Sequence, residues 1–255
     1  MIKSFLLALQ FLTIIPVRIK SVTDKALAHS MIYFPLIGLI LAGILIAVYR
    51  LLNFLRFPDF ASSAMLALSL IFLTGGMHLD GLSDTFDALF SGKPKAEMLK
   101  IIRDSHAGVM GILALISVIL LKVSFLFSVG GMFKPAALIL MCVFSRWAMV
   151  FSMSIFPYAR EEGKAKVFIQ GMTPGIFVWA TAVTLASIFL VGKISGLFIL
   201  GICALVTFAF GKIITRKLGG ITGDTIGATC EITEIIVLFA VCIIERSDFW
   251  ITLMR

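Results

Sequence analysis

The stretch MIYFPLIGLILAGILIAVYRLL, Met31–Leu52, decides the fold class. It carries one charged residue, Arg50, near its end, and as a helix it reaches about 30 Å, the thickness of a bilayer's hydrocarbon core. Working outward, comparable apolar segments run over 61–74, 109–129, 135–156, 176–191, 194–210 and 232–244. The 255-residue chain is 60% hydrophobic with a mean hydropathy of +1.09, more apolar surface than one soluble core can hide. The expectation is an all-α, polytopic integral membrane helical bundle of about six to eight membrane segments, forming a single membrane-embedded catalytic domain over residues 1–255.

The connections alternate in kind. Those at 53–60, 130–134 and 192–193 are tight, whereas those at 17–30, 75–108, 158–175 and 211–231 are long and charged. If each tight turn closes a helical hairpin, every pair of spans returns the chain to its starting side, and the four long loops share one face. These loops hold Arg18, Lys20, Lys25, Lys93, Lys95, Lys100, Arg103, Arg160, Lys164, Lys166, Lys212, Arg216 and Lys217, against Arg50, Arg56, Lys134 and Lys193 at the tight turns. Positive charge accumulates on the cytoplasmic side, so the long-loop face is expected in the cytoplasm and the chain in the inner membrane.

The formal charge of +8 does not argue for nucleic acid, because the cations are scattered and form no basic stripe with interleaved aromatics. Cys142, Cys203, Cys230 and Cys242 lack metal or redox spacing and read as small hydrophobes. The apolar start, Phe5 to Ile15, has no cleavage site after it and reads as a short or re-entrant helix at the membrane surface.

Nearly all the acids lie on the long-loop face, which orientation alone does not require. In GGMHLDGLSDTFDALFSGKPKAEMLKIIRDSHAGVMG, Gly75–Gly111, a helix over DGLSDTFDA sets Asp80, Asp84 and Asp87 within about 60° of one another. Three like charges on one stripe repel and call for a cation. A hard divalent ion, Mg²⁺, suits carboxylate oxygens where phosphates also bind. His78 stands almost opposite Asp80 if the helix includes it. Downstream, Arg103, Asp104, Ser105 and His106 precede two glycines at the start of the next span, an arrangement suited either to a phosphate with its metal or to an ordinary helix cap. A second stripe, Asp224, Glu231 and Glu234, follows Gly219, Gly220 and Gly223. Arg160, Lys164 and Lys166 can hold phosphate, and Arg146 and Lys122, both in spans, call for acidic partners.

The segments GGMHLDGLSDTFDALFSG, IIRDSHAGVMG, SRWAM, FPYAREEG and LGGITGDTIGATCEITE, with FLTIIPV and FPLIGLILAG near the start, occur in order between Gln10 and Glu234. They resemble the cobalamin synthase (adenosylcobinamide-GDP ribazoletransferase) family. The resemblance implies an integral membrane enzyme of cobalamin (vitamin B12) biosynthesis. It would transfer the adenosylcobinamide phosphate moiety of adenosylcobinamide-GDP to α-ribazole or α-ribazole 5′-phosphate, releasing GMP with the help of Mg²⁺. It implies metal and phosphate chemistry at His78, Asp80, Asp84, Asp87, Asp104 and Asp224. The chain departs from the family pattern at His106, where arginine is usual; a protonated histidine there can still meet a phosphate.

The expected site follows. Asp84, Asp87 and Asp224 are the catalytic carboxylates and Asp80, Asp84, Asp87 and Asp104 the metal ligands. His78, Arg103, His106, Arg146, Arg160, Gly223 and Glu231 contact substrate. The ribose 5′-hydroxyl is the expected nucleophile, and a wide cleft, basic at its rim, is expected to admit the corrin. Partners are the small-molecule substrates and the lipid bilayer, with a homo-oligomer or association with other cobalamin-assembly enzymes left open. Two other classes compete. A CDP-alcohol lipid phosphotransferase lacks its DG-x2-AR-x8-G-x3-D-x3-D spacing here, and a cation or proton transporter would carry its acids near mid-span.

Overall fold

In a computed structural model, residues 2–19, 21–104, 106–191 and 193–246 are described. Lys20, Ser105 and Gly192, each used in the sequence reading, lie outside them, as do the Lys164 and Lys193 side chains. The described helices are α1 (Ile2–Leu12), α2 (Asp24–His29), α3 (Phe34–Phe54), α4 (Asp59–Thr74), α5 (Met77–Phe90), α6 (Lys95–Ile101), α7 (Val109–Ser128), α8 (Lys134–Ile155), α9 (Lys164–Gln170), α10 (Pro174–Val191), α11 (Lys193–Leu218) and α12 (Gly223–Glu245). Among the described residues there is no strand, only an isolated bridge between Tyr158 and Ile221.

Prolines mark several starts. Pro35 and Pro135 sit in the first turns of α3 and α8, where the missing N–H is not needed, and Pro58 and Pro94 precede α4 and α6. Six helices are long and apolar enough to cross a membrane: α3, α7, α8, α10, α11 and α12. The α4–α5 pair, bent by 90°, makes a seventh if taken as one broken span. The protein is therefore a multi-pass α-helical membrane bundle, as the apolar segments predict. The axis of the bundle is α8 and α12, whose apolar windows are 78% and 72% buried, while α7 and α10 are each only 28% buried and turn Leu120, Ile116, Phe189 and Leu190 outward. In a bilayer such exposed apolar surface faces lipid.

The hairpin parity holds. At one end, Ile14 N–H donates to the carbonyl of Leu73 (2.9 Å), α2 meets α9, and the α8–α9 and α11–α12 connections are stitched by Ala159 N–H to Ile221 O (2.9 Å) and Ile221 N–H to Pro157 O (2.8 Å). At the other end, the Gly130 N–H donates to the Glu245 carboxylate (3.0 Å) and Tyr49 Oη to Gly131 O (3.4 Å), joining the α7–α8 turn to the ends of α12 and α3.

One connection differs from the sequence reading. The loop expected over 211–231 is mostly helix: α11 continues to Leu218, and α12 begins at Gly223 behind a capping box in which Thr222 Oγ1 and Thr225 exchange bonds with each other's backbone. Glu231 and Glu234 thus lie inside α12. The connection after α4 carries the helix expected over DGLSDTFDA: Gly75 and Gly76, both left-handed (φ 63° and 69°), end α4 and redirect the chain into α5.

Candidate active site

α5 packs antiparallel to α12. Gly81 lies so close to α12 that a methyl there would come within 2.6 Å of the Asp224 carbonyl oxygen, and the His78 backbone lies against Gly227. Only glycine at position 81 permits this approach. It brings the first acidic stripe beside Asp224, and because α5 runs outward, Asp84 and Asp87 extend past the first residue of α12, outside the crossing segments.

A cavity of about 290 Å³ opens at this junction, lined at its polar end by His78, Asp80, Tyr158, Arg160, Gly223 and Asp224. Arg160 Nη2 donates to Asp224 Oδ2 at 3.0 Å, and Thr222 Oγ1 donates to the same oxygen at 3.2 Å. Asp80 is exposed at the rim and His78 is buried, its Nε2 without a partner. The Asp84 carboxyl is pushed up to about 7, first by partial burial, then by repulsion from Asp80, Asp224 and Asp87, with Arg160 opposing. The predicted stripe is real, and its mutual repulsion is expressed.

Other expected site residues are placed differently. Asp87 uses both carboxylate oxygens at the start of α7, accepting the N–H of Gly108 at 2.7 Å and of Gly111 at 2.8 Å. It serves as a cap supplied from another helix, which satisfies donors the helix itself leaves free. Asp104 is exposed; its Oδ1 lies 2.6 Å from His106 Nδ1 and accepts the His106 N–H at 3.1 Å, and these bonds hold its carboxyl below the usual range. Arg103 is exposed on the same loop.

Arg146 and Glu231, expected to touch substrate, do not reach the cavity. They lie in a buried ionic cluster between α7, α8 and α12. Lys122 Nζ donates to Glu231 Oε2 (2.8 Å) and Glu234 Oε2 (2.6 Å), while Arg146 pairs with Glu234 Oε1, which also accepts from Ser145 Oγ (3.4 Å). Two cations face two anions, all at most 4% exposed. The expectation that Arg146 and Lys122 would find acidic partners is met, but the partners are structural. Placing the start of α12 too late is what put Glu231 in a loop beside Asp224.

Sequence reading also missed the apolar wall of the cavity: Phe11, Phe34, Phe168, Met149, Met153 and Ile226. In the sequence these are ordinary members of apolar runs, and nothing in their spacing sets them apart.

Among the described residues, no group of three or more His, Cys, Asp or Glu side chains is assembled to hold a metal ion. The donor chemistry nevertheless fits Mg²⁺. Asp80, Asp84 and Asp224 offer hard oxygens, Asp84, raised first by partial burial, is raised further by the neighbouring Asp80, Asp224 and Asp87, and Mg²⁺ normally takes one or two carboxylates and fills its shell with water and phosphate.

Fold and site together define a polytopic helical membrane protein with a carboxylate-rimmed cavity where its long connections converge. The chain belongs to the cobalamin-5-phosphate synthase family, which matches residues 4–242. It is similar to the adenosylcobinamide-GDP ribazoletransferase of Roseiflexus sp. (strain RS-1), 43% identical over 232 residues that cover 91% of this chain and 86% of that protein. The enzymes of the same name from Desulforamulus reducens (37% identity, 94% and 96% covered) and Fusobacterium nucleatum (38%, 95% and 98%) are comparably similar. No solved structure matches the chain.

Proposed function

We propose that this protein transfers the adenosylcobinamide phosphate moiety of adenosylcobinamide-GDP to α-ribazole or its 5′-phosphate, releasing GMP, and that it does so with Mg²⁺ at the cytoplasmic face of the inner membrane. The observation that carries the proposal is the convergence of Asp80, Asp224 and Arg160, from three separate parts of the chain, at the mouth of one cavity, with Asp84 near enough to feel the charge of all three. The excess of Lys and Arg in the connections at that end supports the cytoplasmic orientation.

The reaction forms a bond from a ribose hydroxyl oxygen to the phosphorus adjoining cobinamide and breaks that phosphorus's bond to the bridging oxygen, which leaves with GMP. The sequence reading names the 5′-hydroxyl as nucleophile, but the 5′-phosphate form of the acceptor has none free, and the family description itself gives cobalamin 5-phosphate as the product. A secondary ribose hydroxyl is therefore the nucleophile common to both acceptors. Asp224, held by Arg160 and Thr222, accepts its proton. Arg160 meets a phosphate oxygen. Asp80 and Asp84, with Asp224, would hold Mg²⁺, which when bound supplies charge neutralisation on the diphosphate. Asp87 keeps the start of α7 in place behind them.

The test is the purified protein in lipid nanodiscs with adenosylcobinamide-GDP, α-ribazole and Mg²⁺, following GMP and corrinoid product by chromatography. Ribazole-dependent GMP release that is lost on chelation and restored by Mg²⁺ is expected. Absence of GMP release, or release independent of ribazole, overturns the reading.

A further inference from the structure

Behind the carboxylate rim, the cavity changes character. Its inner wall is built by Phe11 of α1, Phe34 of α3, Phe168 of α9, Met149 and Met153 of α8, and Ile226 of α12. The three phenylalanines form a closed set, with ring centroids 5.9 Å (Phe11–Phe34), 4.9 Å (Phe11–Phe168) and 5.9 Å (Phe34–Phe168) apart. Phe34, Phe168, Met149 and Met153 are each at most 4% exposed and form a packed layer, and half-buried Phe11 is the ring of the three that keeps open surface. At about 290 Å³ the cavity suits a single nucleoside and is far too small for a corrin macrocycle, unlike the wide cleft expected from sequence.

Building on the transfer reaction above, we propose that this cavity is the seat of the ribazole acceptor. Its dimethylbenzimidazole, a flat and almost wholly apolar bicyclic ring, lies against the Phe and Met wall. Its ribose hydroxyls turn back to Asp80 and Asp224, and the corrinoid diphosphate approaches from outside. The lining chooses between the two nucleosides of the reaction. Guanine carries hydrogen-bonding groups around its edge, and burying it here would leave most of them unpaired, at a cost of about 1–3 kcal/mol for each. Dimethylbenzimidazole has one free ring nitrogen, so its burial leaves at most one such group to satisfy. Methionine side chains adapt to an irregular ring edge and make favourable sulfur–aromatic contacts.

The experiment compares α-ribazole with the riboside of unsubstituted benzimidazole as acceptors for the full-length protein in nanodiscs, using wild type and Met153→Phe. The larger side chain takes up the room that the two ring methyls need. The KM for α-ribazole should rise about tenfold or more relative to that for the unsubstituted riboside, while the KM for adenosylcobinamide-GDP stays as in wild type. Equal effects on both ribosides, or an effect on adenosylcobinamide-GDP instead, overturn the assignment. A measurement that needs no variant is photocrosslinking with an azidobenzimidazole riboside. Label on Met149, Met153 or Phe168 is expected, and label confined to other segments overturns the assignment. Failure of the wild type to release GMP with either acceptor defeats the functional reading itself, and the crosslink then decides the occupant of the cavity alone.

Discussion

Asp84 is the residue at which partial burial and repulsion act together against the charged form. Its carboxyl is raised to about 7, above its ordinary value of 3.8, so the folded protein binds a proton there that the unfolded chain has already released. Without a divalent cation, stability should therefore fall as pH rises from about 4 through 7, and Asp84→Asn should melt higher than wild type at pH 8 in chelator. Mg²⁺ must displace that proton. Its affinity, measured by calorimetry, should weaken by about tenfold per pH unit below 7 in wild type and lose that slope in Asp84→Asn. A pH-independent affinity in wild type would remove Asp84 from the ligands. Asp87 behaves differently although it stands on the same stripe. Asp87→Asn replaces an acceptor oxygen by a donor facing a backbone N–H and should cost about 1–3 kcal/mol in thermal unfolding, with the Mg²⁺ dependence of turnover little changed. A large loss of Mg²⁺ affinity in that variant would return Asp87 to the metal.

At the scale of elements, the helix α12 carries both the rim of the site and the core of the bundle. Its Glu231 and Glu234 meet Lys122 and Arg146 from α7 and α8. Lys122→Met should destabilise the protein by about 3–5 kcal/mol in detergent, because Glu231 is left buried and charged with no counter-ion. The double variant Lys122→Met/Glu231→Gln should recover part of that loss, since Glu234 keeps Arg146. Additive effects of the two substitutions would show that the pair is not coupled. The sequence made the first stripe legible because Asp80, Asp84 and Asp87 obey helical spacing within one short segment. It hid the role of Asp87, whose partners lie 21 and 24 residues on, at the start of α7. It misplaced Glu231 because the polar run GDTIGATCEITE looks like loop, although the Thr222–Thr225 capping box starts the helix before it.

Across the whole molecule, the alternation of tight and long connections was readable, and from it the gathering of four distant segments at one end. The cavity was not, because its wall draws one or two residues each from α1, α3, α8, α9 and α12, and only packing brings these together. Orientation can be checked directly, because the four native cysteines are buried and free. Lys93→Cys should react with a membrane-impermeant maleimide only in inverted vesicles, and Arg56→Cys only from the outside of intact cells; the reverse pattern would invert the proposed topology.

The ionic cluster also dictates an order of events during biogenesis. Lys122 and Arg146 precede their counter-ions in the chain, Lys122 lying 109 residues before Glu231 and Arg146 lying 88 before Glu234. A ribosome thus delivers two cationic hairpin helices well ahead of the segment that neutralises them. Unmatched charge in hydrocarbon is costly, so the cluster stays incomplete until α12 has been made.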